Sequence, residues 1–302
     1  MNAPSFLVEA IDYESGLDDL RAVRETVFVQ EQQVPIEEEW DALDPLCRHV
    51  IARDGDGKPI GTARLTPEHK IGRMAVLGPW RGRGVGDAML GALMAQARSQ
   101  GWAEVSLNAQ VSAQSFYARH GFVPFGERFM EAGIEHQAMR RAMGGATAIE
   151  DLSGAIAMVS TLISQARTSL RIYSRELDPG LLDSPQVLEA LRHFATTARG
   201  GEVQVLLHDP SAPQRGLAPL LPLAQRLPSV FAFRAVVAPV DKAYAAAFIA
   251  NDGGGYYFRP LGHRFDGEAD VHGPGRARQL RESFGRAWER SRPCTELRAL
   301  GI

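Results

Sequence analysis

The chain has 302 residues, 45% of them apolar and 23% charged, a length and balance that suit two ordinary domains, each burying its own core. Its formal net charge of -3 gives no overall pull towards nucleic acid or anionic lipid, so neither is expected as a partner. No run approaches the ~18 apolar residues that a membrane-spanning helix needs. Met1-Asn2-Ala3-Pro4-Ser5 shows no basic n-region or long apolar core, so no signal peptide is expected. Cys47 and Cys294 are the only cysteines, and neither has metal-ligand spacing around it. That usage suits a reducing cytoplasm, with no disulfide and no metal expected.

In chain order, Phe6 to Ile11 reads as a strand. Ser15 with Asp18 resembles a helix start, and Leu17, Leu20, Val23, Val27 and Phe28 mark one helical face that Pro35 ends. The acidic run Glu37-Glu38-Glu39-Trp40-Asp41 is either a solvated face or an attractor of a cationic amine. His49 to Arg53 and Pro59 to Thr66 are strands joined by the turn Asp54-Gly55-Asp56-Gly57, and Lys70 to Leu77 is a third.

Next comes Arg81-Gly82-Arg83-Gly84-Val85-Gly86, leading into a helix over Asp87 to Arg98 that closes at Gly101. Strand, glycine loop, helix is an arrangement suited to phosphate. Glycines let backbone N–H groups approach a ligand, and the helix adds unpaired donors and the positive end of its dipole. Arg81 and Arg83 add fixed charge. A Walker loop would need Lys-Ser/Thr after the glycines and a dinucleotide fingerprint would need Gly or Ala at 87, whereas the chain has Asp87-Ala88. What remains is Arg-x-x-Gly-x-Gly, or else a flexible basic turn. Glu104 to Asn108 is then a strand parallel to the Lys70 strand. Ser112 opens a short helix carrying Phe116, Tyr117 and His120, and Phe122 to Phe129 with Glu135 to Ala142 forms a last hairpin.

The Arg81/Gly84/Gly86 loop resembles the pyrophosphate loop of the GNAT superfamily of acyl-CoA-dependent N-acyltransferases. Asn108-Ala109-Gln110, followed by Ser115-Phe116-Tyr117 up to Phe122, resembles that superfamily's motif after the second parallel strand. Val27 to Gln32 with Asp41 and Asp44, and Gly133-Ile134-Glu135-His136 before Met139-Arg140, are similar to its ElaA-like branch. The resemblance covers roughly residues 5 to 143 and implies a mixed sheet flanked by helices, with acetyl-CoA as co-substrate and no metal. It implies that the loop from Arg81 to Gly86 holds the pyrophosphate. Backbone at Met74, Ala75 and Val76 would bond the pantetheine arm, with Asn108 a partner of that arm or of a water. It also places Tyr117 near the sulfur, where a phenol of pKa ~10 can protonate a thiolate; the alternative is a Tyr packed under its helix. An alkyl amine must lose a proton before attack, and Glu31 or His136 is the expected base.

After Gly144-Gly145-Ala146 a second α/β pattern begins, which sets the expected domains at 1–145 and 147–302. Helices are expected around Ile156 to Ala166, Pro185 to Ala198, Leu217 to Leu227 and Arg276 to Arg290. Strands are expected at Leu170–Tyr173, Val203–Leu207, Val230–Val237, Tyr244–Ile249 and Tyr256–Arg259. The order of elements, with Val205 to Asp209, resembles one lobe of the phospholipase D-like fold. The His-x-Lys motif is missing, because the candidate spot reads Val240-Asp241-Lys242 and Ala247 stands where an Asp belongs. The expected function is acetyl transfer from acetyl-CoA to a primary amine on a small molecule or protein, with an accessory domain and a possible homodimer. A non-catalytic acyl-CoA sensor or adaptor is the alternative.

Overall fold

The computed structural model describes residues 5–297. Met1–Pro4, within the stretch where no signal peptide is expected, and the last five residues lie outside the described residues. The chain forms two compact units. One takes the chain up to Ala113 together with Gly126–Gly144; the other takes Gln114–Phe125 and the chain from Gly145 onwards.

The first unit opens with β1 (Phe6–Ile11) and α1 (Tyr13–Arg24). Asp12, rather than Ser15, caps α1, its Oδ1 accepting from the N–H groups of Glu14 and Ser15 at 3.1 and 3.2 Å. The helix thus begins before the capping-box pattern. It then widens into a π-helical stretch, Glu25–Glu31, and a short α2 (Ile36–Glu39) follows. β2 (Arg48–Asp54) and β3 (Pro59–Leu65) form the expected hairpin. Asp54 Oδ1 accepts from Asp56 and Lys58 N–H at 2.9 Å in its turn. Then come β4 (Lys70–Val76), α3 (Val85–Ser99), β5 (Glu104–Gln110) and, after α4 (Gln114–Arg119), β6 (Val123–Glu131) and β7 (Ile134–Ala142). The seven strands lie in the order β1-β2-β3-β4-β5-β7-β6. α3 buries Val85, Met89, Leu90, Leu93, Met94 and Ala97, the i, i+4 face its sequence shows. Each large side chain there contributes about 1.5–3 kcal/mol of apolar burial.

The second unit is a sheet with helices on both faces, as the alternation of patterns predicts. Its elements are β8 (Thr147–Ile149), α5 (Leu152–Gln165), β9 (Ser169–Ser174), α6 (Pro185–Thr197), β10 (Glu202–Leu207), α7 (Ala212–Arg215) and α8 (Leu220–Arg226). They continue with β11 (Phe231–Ala235), α9 (Pro239–Lys242), β12 (Ala247–Asn251), β13 (Tyr256–Arg259), β14 (Gly267–Asp270), α10 (Pro274–Glu289) and β15 (Arg292–Pro293). Strand order is β15-β11-β10-β9-β12-β13-β14-β8, with β9, β10 and β11 parallel. One core joins Leu162, Leu191, Val205 and Ile249; the other joins Tyr173, Phe248, Leu280 and Phe284 of α10. β12 begins later than the expected Tyr244, because its ladder to β9 runs from Phe248↔Tyr173 to Asn251↔Leu170. β8 and β14 pair only with short partners and carry no alternation long enough to read. No helix among the described residues is long and apolar enough to cross a membrane.

Candidate active site

The first unit centres on the place where β4 and β5 run side by side. Their parallel ladder holds only Lys70↔Ser106 and Ile71↔Leu107, so the remainder of β4 up to Val76 has no ladder partner in β5. On its other edge, β4 pairs with β3 at Gly72↔Arg64 and again at Ala75↔Thr62. Two residues of β4, Arg73 and Met74, thus face the single Ala63, a β-bulge. Arg73 takes a φ of 48°, a left-handed conformation uncommon outside glycine. Strain of this kind persists where surrounding contacts enforce it. Here Arg73 donates to the Glu38 and Glu39 carbonyls at 3.1 and 3.2 Å.

Beyond β4 the chain turns through the glycine loop. Gly82 and Gly84 have φ of 71° and 84°, and a Cβ built on either meets no atom within 4 Å. The glycines are therefore required by backbone conformation, and the space over them is open. Gly84 is the N-cap of α3 with no side-chain cap, so the first-turn N–H donors at Val85 and Gly86 are not taken by a capping side chain. Arg83 leans over the Trp80 ring at 5.5 Å. Arg81 Nε donates to the Val76 carbonyl at 2.8 Å, and its Nη2 pairs with the Glu31 carboxylate.

The π-helical stretch reaches both strands. Glu31 meets Arg81, which follows β4, while Gln32 Oε1 accepts from Gln110 on β5 at 2.9 Å. Gln110 is paired across the ladder with His136 of β7. Glu31, Gln32, Gln110 and His136 are thereby linked within one unit. His136 Nδ1 lies 2.9 Å from the Ile134 carbonyl, and its ring stacks on Phe129. A carbonyl only accepts, so the proton sits on Nδ1 and the lone pair on Nε2. Asn108 Nδ2 donates to Glu131 at 3.1 Å. Tyr117, which the compact division places with the second unit, is buried between Phe116 and Phe122 in edge-on contacts. Burial pushes its phenol up to about 12.

Part of the acidic run is taken up by arginines, while Glu37 and Glu38 are exposed. Arg24 reaches Glu39 at 2.6 Å and Asp44 at 3.0 Å, and Arg64 grips Asp41 and Asp44. Arg73 also reaches Asp41, at 3.2 Å. Three guanidiniums thus engage Glu39, Asp41 and Asp44. Arg64 as hydrogen-bond donor holds the Asp41 carboxyl down at about 2, whereas burial raises Glu39 against the pull of Arg24. Trp40 is covered by Arg24 at 4.5 Å.

Residues 18–143 match the acetyltransferase (GNAT) domain family. Over 132 residues the chain is 40% identical to the uncharacterized N-acetyltransferase YjcF of Bacillus subtilis, a match covering 42% of this chain and 94% of that protein. The chain belongs to the GNAT acetyltransferase family. It is an acyltransferase. Among solved structures, an acyl-CoA N-acyltransferase from Pseudomonas aeruginosa is 31% identical with a TM-score of 0.42, covering 46% of this chain and 100% of that one. Escherichia coli ElaA is 27% identical with a TM-score of 0.41, covering 45% and 99%. Residues 151–300 match a family described as a domain of unknown function, DUF7931. That description does not bear on the phospholipase D-like resemblance of this half. Its candidate spot lies in and after α9, where Asp241 is engaged by Arg290 at 2.6 and 3.0 Å.

Several features of this GNAT acetyltransferase had no sequence expectation. The bulge at Arg73 leaves no mark in composition. The Arg81–Glu31 pair joins residues fifty positions apart. The network around Asp44 could have been suspected from Arg24, Arg64 and Arg73 in a segment that also carries an acidic run.

Proposed function

We propose that the chain transfers an acetyl group from acetyl-CoA to a primary amine by direct attack, with catalysis in residues 1–145 and binding in residues 147–302. The observation that carries this is the glycine loop, open above Gly82 and Gly84 and set between the end of β4 that has no ladder partner in β5 and the start of α3 that has no side-chain cap. The cradle fits a diphosphate: backbone donors, two arginines and no Cβ in the way. Arg81 to Gly86 hold the phosphates, and the edge of β4 at Met74 to Val76 offers the backbone for the pantetheine arm.

His136 Nε2 is the better base of the two candidates, because Glu31 is already committed to Arg81. It takes the proton of the ammonium, directly or through water, and the freed lone pair attacks the thioester carbonyl carbon. The C–S bond then breaks, the sulfur leaves as thiolate, and the nitrogen, positively charged after its attack, gives its second proton to solvent. Tyr117, its phenol raised to about 12 by burial, holds its proton more tightly than a thiol of ~8.5, so full transfer is uphill. Tyr117 therefore acts as a hydrogen-bond donor to the leaving sulfur, and solvent supplies the proton. Asn108 borders the same strand end. Acetyl-CoA turnover against a panel of small amines and peptides, read as free thiol, tests the reading. Amine-dependent thiol release supports it, and release no faster than hydrolysis with every acceptor class contradicts it.

A further inference from the structure

A groove of about 650 Å³ lies wholly within the second unit, walled by α10 on one side and by Arg171 of β9, Gln204 of β10 and the turn after β12 on the other. Its size falls in the range of small-molecule sites. Donors gather in it. Arg171 spends part of its guanidinium on Glu202 at 3.1 Å, Arg281 bonds Ser169 Oγ at 3.1 Å, and Arg278 is exposed with no bonded partner among the described residues. Each guanidinium has five N–H groups, so most remain to be used.

The turn adds backbone donors. Asn251 Oδ1 accepts the Gly255 N–H at 2.8 Å, while the N–H groups of Gly253 and Gly254 meet no acceptor among the described residues. The Asp252 carboxylate that could oppose an anion is already occupied, accepting from Arg167 N, Thr168 N and Thr168 Oγ1 at 2.9, 2.7 and 2.7 Å.

Gly285 supplies an independent sign. It sits inside the 16-residue α10, where glycine weakens a helix, and a Cβ built on it meets no atom within 4 Å. The protein's own packing does not call for glycine there, yet the position lines the groove. Clearance for a ligand accounts for it. Glu282 and Glu289, both exposed on α10, are acceptors on the rim. They suit hydroxyl groups and disfavour a continuous polyanion.

We infer that this groove binds a phosphate monoester of a polyhydroxy compound, the sugar-phosphate class. The arginines and glycine N–H groups take the phosphate, and the rim carboxylates take the hydroxyls. The site is independent of acyl transfer and of the glycine loop.

Calorimetry on the full chain tests it, with glucose 6-phosphate, glucose and inorganic phosphate as probes. Saturable binding of glucose 6-phosphate is expected, weaker binding of inorganic phosphate, and none of glucose. Arg281→Gln, which removes a charged donor, should weaken binding about 10- to 100-fold. Gly285→Leu should fill the groove and abolish binding while leaving the unfolding temperature at or above that of the parent. Gly84→Val should leave this binding intact. Absence of saturable binding up to millimolar glucose 6-phosphate overturns the inference, as does indifference to both groove variants or loss in Gly84→Val. Salt-sensitive binding of a single-stranded oligonucleotide, with no response to the sugar phosphate, overturns it in favour of a polynucleotide.

Discussion

At the scale of single residues, the burial of Tyr117 bears directly on the role proposed for it. A phenol near its ordinary pKa could protonate a thiolate with little penalty, but one raised to about 12 by burial cannot do so cheaply. Tyr117→Phe should therefore remove one hydrogen bond to a developing charge, lowering kcat by about 10- to 100-fold. Affinity for acetyl-CoA should hold. Because Tyr117 stays protonated well above pH 10, the variant's pH profile should keep the parent's alkaline limb. A limb that vanishes with the hydroxyl would show proton transfer from Tyr117 itself. The base is tested by the opposite limb. His136→Ala should flatten the acidic side of kcat/KM against pH, and Glu31→Gln should leave it sloping. An unchanged slope in His136→Ala would send the amine's proton to bulk water before binding.

At the scale of elements, β4 and its surroundings carry the site. The buried network matters here because its carboxylates hold Arg73 of the bulge: Arg73 reaches Asp41, and Glu39 lies between Arg24 and Arg73. Glu39 and Arg24 are 2% and 1% exposed, so Glu39→Gln leaves buried Arg24 with Asp44 as its remaining carboxylate partner. Removing one partner of such a pair typically costs about 3–5 kcal/mol, and urea unfolding should show a loss of that order. A loss below about 1 kcal/mol would mean that water replaces Glu39 without difficulty. The elements themselves were largely legible. The α3 face, the hairpin at Asp54 and the β4–α3–β5 crossover follow from periodicity and turn chemistry that local sequence contains. The bulge and the Arg81–Glu31 pair were not legible, because each depends on residues brought together only by the fold. The capping error at α1 is local: two acceptors compete, and Asp12 lies closer to the strand that delivers the chain.

At the scale of the whole molecule, sequence places one boundary near residue 146, while compactness also assigns Gln114–Phe125 to the second unit. Within that unit α4 is held by α5: Thr161 Oγ1 donates to the Ala118 carbonyl at 2.9 Å, and Val123 joins the core around Leu162. A fragment of residues 1–145 keeps the glycine loop but strips α4 of these partners. It should bind acetyl-CoA yet unfold at a lower temperature than the full chain and turn over more slowly, since Tyr117 lies on α4. Equal turnover per mole would show that the second half lends α4 no support. The central claim is that the loop before α3 seats the diphosphate of acetyl-CoA, and calorimetry of acetyl-CoA with the full chain and its Gly84→Val variant tests it most directly. At φ 84° valine is strained and its side chain enters the open space above the loop, so both effects act on the same cradle. The account predicts one saturable site in the parent and affinity lowered at least about 100-fold in the folded variant, the equivalent of ~2.7 kcal/mol. No binding by the parent, or equal binding by both, would contradict it.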